Sequence, residues 1–261
     1  MMRAFAFAVA VALSIATAHA AAWTLPRGHW QVFTATTQSS AELSFDSKGH
    51  ADLPASFNKL LIQNCIEYGL TGYLTLFATP SFVLARVQPA AGAATRVNNS
   101  SFEGGARLLL YGGHGDLSLQ GSYKTAGAFD LSVSANRASG RQIELRLLYG
   151  TSFKLLGRNG FFDIQAAQRW IASPRPNETP IDLTAGLWLN KRWMVMLQSF
   201  NIVSAGDAKP PYTYYRSHKL ELSLVQKLSR HWALQVGAFY SPAGQNALVE
   251  RGLQVSLWTQ D

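Results

Sequence analysis

The chain has 261 residues, 48% of them hydrophobic and 15% charged, with a formal net charge of +8. Its mean hydropathy of +0.01 is far below that of a helical membrane bundle. The single cysteine, Cys65, excludes an intrachain disulfide and a thiolate metal cluster. The Lys and Arg residues are scattered, with no run or helical stripe, which disfavours a nucleic-acid surface.

The N-terminus reads Met1-Met2-Arg3, is apolar from Ala4 to about Ile15, and ends in Ala18-His19-Ala20. An early positive charge, a short apolar core and a small-x-small end predict a secretory signal peptide over residues 1–20. Cleavage after Ala20 is the first expectation and cleavage after Ala22 the second. A retained anchor is the alternative, disfavoured by the Ala-rich run and the cleavage-like end. The domain expected after cleavage covers 21–261, enough for one large all-β unit. Only Arg3 is lost among the charges, so the net charge falls to +7. That balance points weakly to lipopolysaccharide phosphates at a membrane rim.

Period-two alternation bounded by Gly, Pro, Asn and Asp then predicts strands in sequence. The first is about His29 to Thr37, followed by a polar loop from Gln38 to Ser56. The second is about Phe57 to Tyr68, with Leu60, Ile62, Ile66 and Tyr68 on one face and Lys59, Gln63, Cys65 and Glu67 on the other. Gly69-Leu70-Thr71-Gly72 is a tight turn into a third strand, about Tyr73 to Val87, and Gln88 to Asn99 is a second long loop. Strand four, about Ser101 to Tyr111, sets Phe102, Ala106, Leu108 and Leu110 against Glu103, Arg107 and Tyr111. Strand five covers Asp116 to Lys124, a third loop Thr125 to Gly140, and strand six Arg141 to Tyr149. The later strands are about Phe161 to Ile171, Ile181 to Leu189, Trp193 to Val203, Tyr214 to Leu228, His231 to Tyr240 and Arg251 to Thr259.

Twelve strands is an even number, and short turns after even strands alternate with long loops after odd ones. This is the pattern of an up-and-down transmembrane antiparallel β-barrel with short periplasmic turns and longer extracellular loops. Ten and fourteen strands are the alternative counts, because strand boundaries read from sequence drift by ~2–4 residues, and a soluble β-sandwich is the alternative architecture. Trp23, Trp30, Tyr68, Tyr73, Tyr149, Trp193 and Trp232 fall at periplasmic strand ends, and Trp170 and Tyr240 at outer ends, as expected of interfacial girdles.

Two short stretches carry a resemblance. Trp23-Thr24-Leu25-Pro26-Arg27-Gly28 opens the domain, and Glu67-Tyr68-Gly69-Leu70-Thr71 ends strand two. With Arg216-Ser217-His218-Lys219-Leu220 and Arg251-Gly252, the chain resembles proteobacterial outer-membrane barrels of the phenol meta-pathway (MetA) type and similar xanthomonad-type barrels. The resemblance implies a channel in the bacterial outer membrane for small, often hydrophobic or aromatic molecules, and a monomer is expected. It also implies insertion by the barrel-assembly machinery, which reads an aromatic residue at the chain end. Here the end is Leu257-Trp258-Thr259-Gln260-Asp261, so Trp258 is the expected substitute.

By parity, the inner face carries Lys59, Glu103, Arg107, Glu144, Arg146, Asp163, Arg169, Asp182 and Glu221, the candidate lumen-lining and solute-binding residues. Rings of such charges tune selectivity in pores; they can equally pair across a narrow lumen and hold the wall. Both signs are mixed, so no strong ion filter is expected. Trp188, Met194, Met196, Phe200, Phe239 and Trp258 are further inward candidates that would suit an aromatic solute. Lipid hydrolysis is the competing chemistry. His218 and Ser199 share outward parity on neighbouring strands, but Ser217 points the opposite way, and a nucleophile needs a base within hydrogen-bond reach. No catalytic, cofactor or metal motif emerges, and the remaining histidines have no metal-ligand spacing. The expected function is passive passage of a small solute. The alternative is a non-conducting structural or surface-interaction barrel.

Overall fold

A computed structural model describes residues 22–88, 95–125, 141–207, 209 and 213–261. Its strands are β1 (Trp30–Phe45), β2 (Ala51–Thr71), β3 (Leu74–Gln88), β4 (Thr95–Gly112), β5 (Asp116–Lys124) and β6 (Gln142–Leu155). The second half contains β7 (Arg158–Ile171), β8 (Glu178–Trp188), β9 (Trp193–Ser204), β10 (Arg216–Lys227), β11 (Trp232–Gln245) and β12 (Arg251–Gln260). Among the described residues every regular element is a strand. Each strand pairs antiparallel with its sequence neighbours, and β12 pairs with β1, so the sheet closes into one barrel.

Closure converts the period-two pattern into an inside and an outside. The outward residues of β12, Leu253, Val255 and Leu257, and of β10, Leu220, Leu222 and Leu224, are exposed although apolar. The same holds for Ile143, Leu145 and Leu147 on β6. An exposed apolar belt around a closed sheet is a surface made for hydrocarbon, where every backbone polar group must already be paired. The twelve-stranded transmembrane barrel expected from the alternation is therefore the observed architecture.

Several boundaries differ from the sequence expectation. The polar stretch 38–56 is mostly a two-stranded arm, because β1 runs on to Phe45 and β2 begins at Ala51. Its polar residues suit strands that stand in water on both sides, and Ala41 and Phe57 stay buried on the inner side. The tip is locked by Asp46, whose Oδ1 accepts the backbone N–H groups of Lys48 (2.7 Å) and His50 (2.8 Å). Its Oδ2 lies 3.1 Å from His50 Nδ1. The His50 and Lys48 amides and the His50 ring hold the exposed Asp46 carboxyl well below the usual range, at about 2. Asp52 joins Asp46 and His50 in one exposed cluster at this tip.

The β6–β7 hairpin is likewise longer than expected, turning through Leu156 (φ 51°) and Gly157 (φ 76°). Positive φ at both central residues matches the twist of the flanking strands, and Gly157 adopts it without strain. On β4 a register shift between Leu109 and Tyr111 corrects one expected face. One extra residue carries Tyr111 outward, opposite Leu117 and 62% exposed, rather than inward with Arg107. The expected loop 125–140 lies almost wholly outside the described residues, as does the expected signal peptide.

Two measurements test this fold. Leu222→Arg, at the middle of the outward apolar run, should cost about 2–4 kcal/mol in lipid unfolding titrations, and Leu228→Arg at the strand end about 0–1 kcal/mol. The Asp46 lock is present above the ordinary carboxyl value of 3.8 and is lost as pH falls through about 2. Protection factors of the Lys48 and His50 amides, taken against intrinsic exchange at each pH, should fall over that window in the wild type. In Asp46→Ala they should be low throughout.

Candidate functional site: a closed, polar lumen

The inner wall is layered. At the short-turn end, Phe33, Cys65, Phe161, Met194, Met196, Val225, Ala233 and Trp258 form one buried apolar cluster, with Trp23 and Trp188 packed on it. Phe33 and Trp258 meet edge to face at 5.6 Å, and Trp23 meets Phe161 in the same way at 6.1 Å. Trp258 Nε1 donates to Gln235 Oε1 at 3.2 Å, so the indole is buried without an orphaned donor. Met194, Met196 and Trp258 are thus inward, and Trp258 packs in the interior rather than at the membrane surface.

Trp23 is also not a girdle residue. Residues 22–25 run inside the barrel at the short-turn end and leave it at the exposed Pro26, and Ala22 is wholly buried. The Ala22 N–H donates to Asp163 Oδ2 (3.0 Å), and Ser118 Oγ donates to the Ala22 carbonyl (2.5 Å). Arg107 Nη1 donates to the Trp23 carbonyl (3.0 Å), and the Leu25 N–H to Thr75 Oγ1 (2.8 Å). A segment threaded through a lumen has no strand partner, so wall side chains must satisfy its backbone. Gly69 makes room for it: a Cβ there would lie 2.1 Å from the Pro26 carbonyl oxygen and 2.7 Å from that of Leu25.

Above this floor the charges are paired. Arg107 donates to Glu67 (2.7 Å) and Gln120 (3.1 Å), and Gln31 donates to Glu67 (2.5 Å). Arg107 and Glu67 are at most 2% exposed. Arg146 contacts Glu144 (2.7 Å), Asp182 (2.6 Å) and Gln165 (2.7 Å). Arg169 bridges Glu144 (2.8 Å) and Glu178 (2.6 Å). Glu178 also takes Arg175 (3.0 Å) and the Tyr215 hydroxyl. Glu103 stands 4.0 Å from Lys124.

At the long-loop end residues 246–250 fold across the mouth. The Phe45 N–H donates to the Ala247 carbonyl (2.7 Å), and the Val249 N–H to the Leu43 carbonyl (2.9 Å). Leu248 packs on Ala41, Phe57 and Ala85. Glu250 receives Lys59 (2.8 Å), Lys219 (2.8 Å) and Ser39 (2.5 Å).

Between floor and mouth lies a cavity of about 270 Å³. Glu103, Arg107, Glu144, Arg146, Arg169 and Asp182 line it, together with Gln63, Cys65, Glu67, Phe77, Thr79, Gln120, Gln165, Thr184 and Phe200. Three arginines face four carboxylates, close to neutral balance. Of the remaining candidates, Lys59 lies at the outer mouth on Glu250, Asp163 holds the amino-terminal segment, and Glu221 accepts from Ser223 (2.7 Å). Sequence reasoning missed Glu250, Arg175 and residues 22–26. An apolar loop, Ala247-Leu248-Val249, ahead of an acidic residue was the available signal for the first.

On the outer surface, His218 Nδ1 lies 2.9 Å from Asn201 Oδ1, and Asn201 Nδ2 donates to Ser199 Oγ (3.0 Å). The amide stands between hydroxyl and imidazole. This order does not supply the Ser–His contact that nucleophilic hydrolysis needs.

Fold and lumen together define a twelve-stranded transmembrane β-barrel. Among solved structures, the chain is similar to the COG4313 outer membrane channel from Pseudomonas putida F1 (TM-score 0.68, 13% identity). The alignment covers 92% of this chain and 97% of that one. It is also similar to the translocator domain of the autotransporter NalP from Neisseria meningitidis (TM-score 0.56, 12% identity, 88% of each chain). The NanC porin matches at TM-score 0.52 and 9% identity, over 87% of this chain and 98% of the porin. At these identities the likeness is one of fold. No protein-family description and no curated protein matches the sequence.

Gly69→Val should expel residues 22–26 while the barrel stays folded. Backbone exchange at Ala22 and Leu25 should then rise by about a hundredfold by mass spectrometry. Gly72→Val, with nothing within 4 Å of its Cβ position, should leave it unchanged.

Proposed function

We propose that the protein is an outer-membrane barrel of a Gram-negative bacterium that passes a small solute passively, through a lumen narrowed by its own amino-terminal segment. The reading rests on the 270 Å³ cavity, a polar chamber of near-balanced charge beside aromatic and sulfur side chains. Phe77, Phe200 and Cys65 offer an apolar wall, while Arg107, Arg146 and Arg169 offer donors. Such a chamber suits a compact solute with an apolar ring and a polar or anionic group. The resemblance to phenol meta-pathway barrels supports the same class. Lys59, Glu103, Asp163, Asp182 and Glu221 hold the walls and plug of this path. The protein works as a monomer, is inserted by the barrel-assembly machinery, and needs no cofactor.

The second reading, a non-conducting structural or surface-interaction barrel, is favoured by one observation. Both mouths are occupied, by residues 22–26 at one end and by 246–250, fixed through Glu250, at the other.

Single-channel recording of the refolded protein in planar bilayers separates the readings. The wild type should give small discrete steps, and a variant lacking residues 22–27 should give steps several-fold larger. Arg107→Glu and Arg146→Glu should shift the reversal potential toward cations. A folded barrel silent in both forms would overturn the open-path reading in favour of the structural one.

A further inference from the structure

The outward face of β3 is apolar from Leu76 through Ala78, Pro80 and Phe82 to Leu84, the roughly nine to eleven residues a tilted strand needs to cross hydrocarbon. The next outward residue is Arg86. On β4 the outward apolar run begins at Phe102, and Arg96 lies beyond it toward the long-loop end. The register places Arg86 directly opposite Arg96. Both are exposed. Like charges opposite each other in a ladder repel, and among the described residues neither has an acidic partner. The contrast is Arg251, another outward arginine at this rim, which is paired with Glu42 at 2.5 Å.

Asn58 is the ladder partner of Arg86 on its other side. The two arginines border a groove of about 450 Å³ whose lining also includes Asn58, Asn98, Leu60 and Leu84. The groove therefore has two guanidiniums and two amides at its rim, with leucines and the Gln38 amide below, at the edge of the apolar belt. That is the layout of an amphiphile with a phosphate head and acyl chains. Guanidiniums bind phosphate through paired, charge-assisted hydrogen bonds, and basic clusters beside a hydrophobic belt select anionic lipid heads.

We infer that Arg86 and Arg96 form a binding site for the phosphate of a phosphorylated glycolipid of the lipid A type in the outer leaflet. The inference takes from the proposed function only the membrane location and orientation, not the solute path. The phosphate supplies the negative charge that the opposed arginines lack, and the acyl chains run down over Leu60 and Leu84.

The refolded full chain in a neutral detergent, analysed by native mass spectrometry, tests this. The probes are bisphosphorylated lipid A, the same lipid dephosphorylated, phosphatidylglycerol and inorganic phosphate. Bisphosphorylated lipid A should be retained, and removing its phosphates should weaken binding about tenfold or more. Arg86→Gln and Arg96→Gln should each give a similar loss, whereas Arg158→Gln, at the opposite end of the barrel, should give none. Equal binding of the dephosphorylated lipid, equal binding of phosphatidylglycerol, or an equal loss in Arg158→Gln would overturn the site. Inorganic phosphate competing as strongly as lipid A would overturn its assignment to a lipid. Heat-modified gel migration of each variant confirms a closed barrel before binding is scored. Conductance is recorded separately, so a silent channel that binds lipid A leaves this site standing and removes only the transport reading.

Discussion

The structure depends on one constraint: in hydrocarbon a sheet has no tolerable edge. The pairing of β1 with β12, from Gln31↔Gln260 to Ser40↔Arg251, removes both edges. Once it forms, every alternating segment has one face committed to lipid and one to the interior. The inner face is then a confined space of low dielectric rather than a wet surface, and the charges that enter it must find partners.

The lumen meets that demand with networks rather than isolated pairs. Arg107 ties three different parts of the chain together: Glu67 on β2, Gln120 on β5 and the Trp23 carbonyl of the amino-terminal segment. Arg146 and Arg169 share Glu144, and Glu178 extends the chain of contacts to Arg175 and Tyr215. A buried charge stripped of its partner costs about 3–5 kcal/mol. The same residues that would meet a solute therefore also hold the wall. Substitution here has to be read with a folding control beside it.

The two mouths are closed by different means. At the short-turn end an unpaired backbone is fixed by side-chain donors and acceptors, two of them the neutral hydroxyls of Ser118 and Thr75. At the long-loop end a single carboxylate, Glu250, gathers two lysines and a serine. Releasing the first segment breaks no ion pair, although Asp163 and Arg107 each lose a hydrogen bond to its backbone. The second cannot open without exposing three charges to one another's absence. If a path opens by moving chain, the amino-terminal segment is the less costly element to move.

Much of this was legible in the sequence, for a physical reason. Side-chain direction in a strand alternates with period two regardless of neighbours, so Leu253, Val255 and Leu257 announce a lipid face, and Glu144 and Arg146 an inner face, before any partner is known. Strand number and the rhythm of short and long connections follow from the same local signal. What alternation does not encode is how far a strand continues once it leaves the membrane. The β1–β2 arm ran past its expected end, and the one-residue register shift beside Leu109 turned Tyr111 to the other face. Nor does it encode which inward charges meet. Arg107 and Glu67 are forty residues apart, and their 2.7 Å contact exists only because the sheet closes and shears. The plugging of the lumen by Ala22 to Pro26 and by Glu250 was likewise decided in three dimensions. Neither segment has a periodic signal of its own. Each is held by side chains from strands that the sequence leaves far apart and closure brings together.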